Sequence, residues 1–331
     1  MNTAVKVGAF GAGIVLAFGA AFGVGHAVGP IGSDPAPAHG GHGADADARG
    51  GAQAPGVTGV KPAAAEAPGG LQVSERGYTL AAPAEPLPVG TRTDFRFRVL
   101  GPDGRPWTRY DRAHEQDLHL IVARRDLSGF QHVHPTLGPD GTWSVPLTFA
   151  TAGTYRVFAD FTPTGDPGGP LTLGADVVVA GSYEPAALPA PTRTATVDGY
   201  TVTLAGDLSA TGSSALTLNV SKDGRPVTDL QPYLGAYGHL VALRQGDLAY
   251  LHVHPQGAPG DGKTPAGPGI GFHAQAPSAG NYRLYLDFRH EGTVRTAEFT
   301  VAVGAATTAQ APPVAPTSSP APEAEHGEHA H

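Results

Sequence analysis

The chain of 331 residues contains no cysteine. Disulfides, thiolate metal sites and cysteine nucleophiles are therefore excluded, although the absence identifies no compartment. The one methionine is Met1, which removes soft thioether ligation as well. Charge is scarce: 15% of residues are charged, the net charge is −8 and the pI is about 6.0. With no basic footprint, nucleic acid is not expected as a partner. Enzyme signatures are missing too, since neither a Gly-x-Ser-x-Gly elbow nor a Walker loop occurs. His114 and His119 stand five apart, whereas a metalloprotease helix needs a spacing of four to put both on one face. No general base is evident, and the chain reads as non-enzymatic.

Turn formers are abundant, with 47 Gly and 32 Pro. Residues 1–29 carry Lys6 and then an apolar run. That run is long enough for a membrane-anchoring N-terminal hydrophobic helix. It also reads as a signal peptide, with Gly25-His26-Ala27 as a small-x-small cleavage site. Lys6, with no further Lys or Arg before Arg49, places the N-terminus inside and the bulk outside. The expectation is an extracytoplasmic protein, anchored in the membrane or secreted after cleavage near Ala27. Residues 30–70 lack apolar periodicity and read as a disordered linker holding His39 and His42. Residues 305–331 read as a disordered tail whose His326, His329 and His331 form a weak, adaptable cation site.

Between these lie two copies of one plan, residues 71–182 and 193–304, joined by a Pro/Ala linker at 183–192. Asp103-Gly-Arg-Pro is answered by Asp223-Gly-Arg-Pro, and Ala152-Gly-Thr-Tyr155 by Ala279-Gly-Asn-Tyr282. The offset is 120 up to the central histidines and 127 afterwards, so the added residues fall in the loop 256–269, where insertion costs little. Phe95, Phe97 and Val99 alternate with Arg96 and Arg98, the period of a half-buried strand. About seven short strands per copy predict an all-β chain of two tandem immunoglobulin-like β-sandwich domains. The Gly-x-Tyr opening of each penultimate strand matches a tyrosine corner.

The densest repetition is a single stretch in each copy. The first has His119, Arg124, Asp126-Leu127, Phe130, His132, His134 and Pro135; the second has His239, Arg244, Asp247-Leu248, Tyr250, His252, His254 and Pro255. Each reads as a β-hairpin. Residues two apart on a strand share a face, so His132 and His134 point the same way. An even-length turn centred on Leu127-Ser128 makes paired numbers sum to 255 and puts His119 on that face too. The same arithmetic about Asp247-Leu248 gathers His239 with His252 and His254. Three imidazoles on one face suit Cu(II) or Zn(II). Asp160 is a candidate fourth ligand in the first copy, and His273 or Asp287 in the second. Such sites should weaken as pH falls through about 6.5.

The signature resembles that of secreted, actinobacterial-type proteins with immunoglobulin-like domains and a His-Leu-Ile-Val…Asp-Leu…Phe-x-His-x-His-Pro pattern, a group described as heavy-metal-associated. The resemblance covers about 17 residues per copy plus the sandwich outline. It implies an extracytoplasmic location and copper or heavy-metal handling, and it implies no catalysis. The rival reading is a structural stalk for an unidentified extracytoplasmic protein partner, whose histidines only brace the hairpins.

Overall fold

The computed structural model describes residues 67–251 and 253–304, with the backbone alone at His254. The N-terminal hydrophobic segment, residues 30–66 with His39 and His42, the tail and His252 lie outside the described residues. Among the described residues no helix is long and apolar enough to cross a membrane.

The first copy runs β1 (Ser74–Glu75), β2 (Tyr78–Ala81), β3 (Arg92–Leu100), β4 (Tyr110–Asp111), β5 (Leu118–Arg124), β6 (Gln131–Val133), β7 (Thr136–Leu137), β8 (Trp143–Thr148), β9 (Gly153–Pro163) and β10 (Leu171–Val179). The second runs β11 (Thr194–Val197), β12 (Tyr200–Ala205), β13 (Ser214–Lys222), β14 (Arg225–Pro226), β15 (Gly238–Arg244), β16 (Tyr250–Leu251), β17 (His254–Pro255), β18 (Gly269–Ala274), β19 (Gly280–His290) and β20 (Thr293–Val303). All pairing between these strands is antiparallel. In the first copy the sheet β1-β2-β3-β8-β7 faces the sheet β10-β9-β5-β6; in the second, β11-β12-β13-β18-β17 faces β16-β15-β19-β20. The chain is an all-β pair of immunoglobulin-like sandwiches.

Each sandwich buries the inward face of its strands. Phe95, Phe97 and Val99 sit in the first core with Trp143, while the alternate arginines of β3 are exposed. Both tyrosine corners form: Tyr155 donates to the Thr151 carbonyl at 2.9 Å and Tyr282 to the Ser278 carbonyl at 2.8 Å. Gly153 (φ 131°) and Gly280 (φ 142°) open the two strands in conformations that suit glycine.

The central strands depart from one-sided burial. All seven residues of β5 are buried, as are the first six of β15. Leu118, Leu120 and Val122 fill their own core, while Ile121 and Ala123 face the other copy. There they join Leu127 and Phe158 from the first copy and Val241, Leu243, Leu248 and Tyr285 from the second. The two copies thus dock through equivalent sheets, and equivalent residues meet. Phe130 stacks on Tyr285 with ring centroids 3.9 Å apart, and Tyr250 packs on Phe158 at 5.7 Å. Tyr285 also donates to the Leu127 carbonyl at 2.6 Å.

Both flanking segments that read as unstructured are partly held by this seam. Gly70 donates to the Thr172 carbonyl at 2.8 Å, and Tyr250 N donates to the Gly69 carbonyl at 3.0 Å. In the linker, Ala186 N donates to Asp126 and Leu188 packs on the seam cluster.

Candidate metal centre at the seam

In the β5–β6 hairpin Leu120 pairs with Val133, Ile121 with His132 and Val122 with Gln131, so paired numbers sum to 253. The turn is centred one residue earlier than expected, at Asp126-Leu127. The cause is a braced loop. Arg124 and Asp126, each with a side chain 6% exposed, form an ion pair at 2.6 Å, and Asp126 accepts from Ser128 N and Oγ. Leu127 takes φ 69° so that its side chain can enter the seam. The second hairpin repeats this with Ala242 opposite Leu251, the Arg244–Asp247 pair and Leu248 at φ 61°. A shift of two in the sum preserves parity. His119 and His132 therefore still share a face, and His134 follows where the chain leaves this sheet for β7.

The three side chains converge. His119 Nδ1 lies 3.1 Å from His132 Nε2 and 3.2 Å from His134 Nε2, and the three ligand atoms are all within 4.8 Å of one another. Two nitrogens on one tetrahedral ion at about 2.0–2.1 Å stand roughly 3.3 Å apart. Both distances from His119 Nδ1 match that spacing.

Outer hydrogen bonds fix the tautomers. The Ala113 carbonyl, 3.1 Å from His119 Nε2, can only accept, so the proton sits on Nε2 and Nδ1 carries a lone pair. The Asp287 carboxylate, 2.8 Å from His132 Nδ1, holds the His132 proton there and leaves Nε2 with a lone pair. Asp287 is itself fixed by Thr296 Oγ1 at 2.6 Å. Two lone pairs thus face each other at 3.1 Å, an arrangement that a cation between them relieves. A carboxylate behind a histidine is the usual outer support of a metal site.

Burial holds three rings, His119, His134 and His239, below the usual imidazole range. Desolvation first, then His132, lowers His119 to about 4. Desolvation, with His132, His119 and His239 nearby, lowers His134 to about 3. His239 falls to about 4, burial outweighing the opposing bond to the Tyr233 carbonyl. Unfolded histidine takes up its proton near 6.5, so between that pH and about 4 the unfolded chain binds more protons than the folded one. Stability of the metal-free protein should therefore be fully present above pH 6.5 and fall as pH drops toward about 4. A shift of the His239 size is worth roughly 3 kcal/mol. Urea denaturation at pH 7.5, 5.5 and 4.5 checks this, and a flat profile would contradict it.

Several expected ligands fall elsewhere. Asp287 serves His132 of the first copy rather than completing a site in the second. Asp160 is bound by Thr172 Oγ1 at 3.0 Å and by the Tyr250 hydroxyl at 3.2 Å, so it braces the seam and is not in the triad. His273 is exposed on β18, on the outer face of the other sheet, and its Nε2 meets Gln256 at 2.8 Å. His239 lies on the opposite face of the sandwich, so the two cannot share an ion. The backbone of His254 pairs with His273 in β17–β18. His239 is buried at the seam, its Nε2 donating to the Tyr233 carbonyl at 2.8 Å. It lies beside the triad, its ring 6.1 Å from His132 and 6.5 Å from His119. His114, dismissed above as part of a failed protease motif, joins the same group, 5.2 Å from His239 ring to ring. Nothing in the local sequence marks it, because its position depends on how the copies dock.

Fold and site together define a two-repeat immunoglobulin-like sandwich protein with a buried histidine triad at the seam. A family model described as "Domain of unknown function (DUF8832)" matches residues 72–168 and again residues 195–305. The chain belongs to that family. No curated protein matches it. Among solved structures it is similar to a Salmonella alpha-2-macroglobulin mutant (16% identity, TM-score 0.23, 72% of this chain and 15% of that one). It is also similar to Yersinia pseudotuberculosis InvD (16%, 0.22, 73% and 62%) and to a putative membrane anchored protein from Corynebacterium diphtheriae (12%, 0.21, 69% and 57%). The chain spans less than two thirds of the length of each of these proteins, and overlaps with scores this low carry no inference about function.

Proposed function

We propose that the protein binds a divalent transition metal, Cu(II) or Zn(II), through His119 Nδ1, His132 Nε2 and His134 Nε2, and buffers or delivers that metal outside the cytoplasm. The observation that carries this is the pair of outer hydrogen bonds, from His119 Nε2 to Ala113 and from His132 Nδ1 to Asp287, which turn two lone pairs inward. Neutral nitrogen donors without sulfur suit both ions. A triad supplied by one hairpin leaves a coordination position for a donor or acceptor of the cargo. The apolar N-terminal run and the heavy-metal-associated resemblance support an exported, membrane-tethered carrier rather than an enzyme.

Titration of the full chain with Cu(II) and Zn(II), with His39, His42, His326, His329 and His331 replaced by alanine, tests the reading. One equivalent should disappear in His119→Ala/His134→Ala. Stoichiometry unchanged in that variant would discard the proposal. Burial lowers His119 to about 4 and His134 to about 3, so protons should not compete with the metal for these two ligands at pH 5.5. Under the rival reading, a structural seam, the same variant loses thermal stability and no metal.

A further inference from the structure

We propose that the seam holds a second divalent transition-metal ion beside the first, centred on His239 Nδ1 and His114, so that the two repeats build one dinuclear centre rather than two independent sites. This rests on the triad reading and extends it across the seam. Three observations carry it. First, His239 occupies the place of His119 and is clamped in the same way: each donates from Nε2 to the carbonyl six residues upstream, Tyr233 and Ala113 respectively. The His239 proton is therefore also on Nε2, and Nδ1 is left with a lone pair on a buried ring.

Second, ring spacing distinguishes shared from separate ligation. Two imidazoles on one tetrahedral ion have centroids roughly 5 Å apart. Within the triad the spacings are 5.4, 5.0 and 4.9 Å. His114 and His239 lie at 5.2 Å, whereas His239 is 6.5 Å from His119 and 6.1 Å from His132. His239 thus pairs with His114 and neighbours the triad without belonging to it.

Third, a half-open cavity of about 40 Å³ lies against both groups, lined by His114, His119, His132, Asp160, His239 and Tyr250. It is large enough for an ion or a water. The Asp160 carboxylate supplies negative charge there, as Asp287 does behind the triad. Two dications this close repel, so the second binds more weakly than the first.

The test uses the full chain with His39, His42, His326, His329 and His331 replaced by alanine, titrated with Cu(II) and followed by electron paramagnetic resonance. Two equivalents should bind in sequence, and the doubly loaded protein should show the broadened spectrum of a dipole-coupled spin pair. His114→Ala/His239→Ala should stop at one equivalent with the signal of an isolated ion, and that retained equivalent shows that the variant is folded. One equivalent in the parent, two magnetically isolated ions, or two equivalents surviving in the variant would each overturn the dinuclear centre. The triad reading is decided separately, by the first equivalent alone in His119→Ala/His134→Ala.

Discussion

Replacing His132 by alanine is expected to abolish the first metal equivalent and to cost the metal-free protein about 3–5 kcal/mol. The two effects have separate causes. Metal binding fails because a ligand of the triad is gone. Stability falls because Asp287, with a side chain only 5% exposed, loses the His132 N–H and keeps only Thr296 Oγ1 among its described partners. A buried carboxylate left without its partner is far more costly than a broken surface pair. The second variant, His132→Ala/Asp287→Asn, removes that charge and should recover much of the lost stability while remaining unable to bind. Urea denaturation with metal titration on both variants separates the terms. Should the double variant be as unstable as the single one, the Asp287–His132 bond does not have the role assigned here.

Tyr285→Ala should destabilise by about 3–5 kcal/mol and weaken metal binding about tenfold or more, although Tyr285 touches no ligand. Its ring stacks on Phe130 and its hydroxyl holds the Leu127 carbonyl. Truncation leaves a cavity in the seam and orphans that carbonyl, and Leu127 loses the contact that offsets its left-handed backbone, a conformation costing roughly 1–2 kcal/mol. Asp287 lies two residues further along β19 on the same face, so a loosened seam misplaces the group that orients His132. Tyr285→Phe keeps the ring and loses only the hydrogen bond, about 1 kcal/mol, with near-normal metal affinity expected. Thermal melts and Zn(II) competition titrations read both. An unchanged melting temperature in Tyr285→Ala would mean that the copies do not dock through this face.

These effects show why the sequence spoke clearly about some features and not others. The alternation in β3, the paired Asp-Gly-Arg-Pro turns and the two tyrosine corners are local patterns, and the sandwich follows from them. The convergence of His119, His132 and His134 depended only on parity, which survived a turn centred one residue from where it was expected. The role of Asp287 could not be read, because it acts across the seam on a histidine 155 residues away in the chain. A signal for the seam was present in Leu118 to Ala123, a run apolar on both faces except at His119, and again in Leu240 to Leu243. Runs of that kind belong to strands covered on both sides. His273 lies on the other sheet, where β17 leaves the histidine sheet and pairs with β18, a switch that spacing in the chain does not reveal. His114 reaches the group only through docking.

X-ray absorption at the metal edge, on Zn(II)-loaded full chain lacking the tether and tail histidines, reports the ligands of the bound ion directly. With one equivalent loaded, the account predicts three imidazole nitrogens at about 2.0–2.1 Å with the multiple-scattering pattern of histidine rings. A shell of oxygen ligands without imidazole scattering, or an imidazole shell unaltered in His119→Ala/His134→Ala, would contradict it.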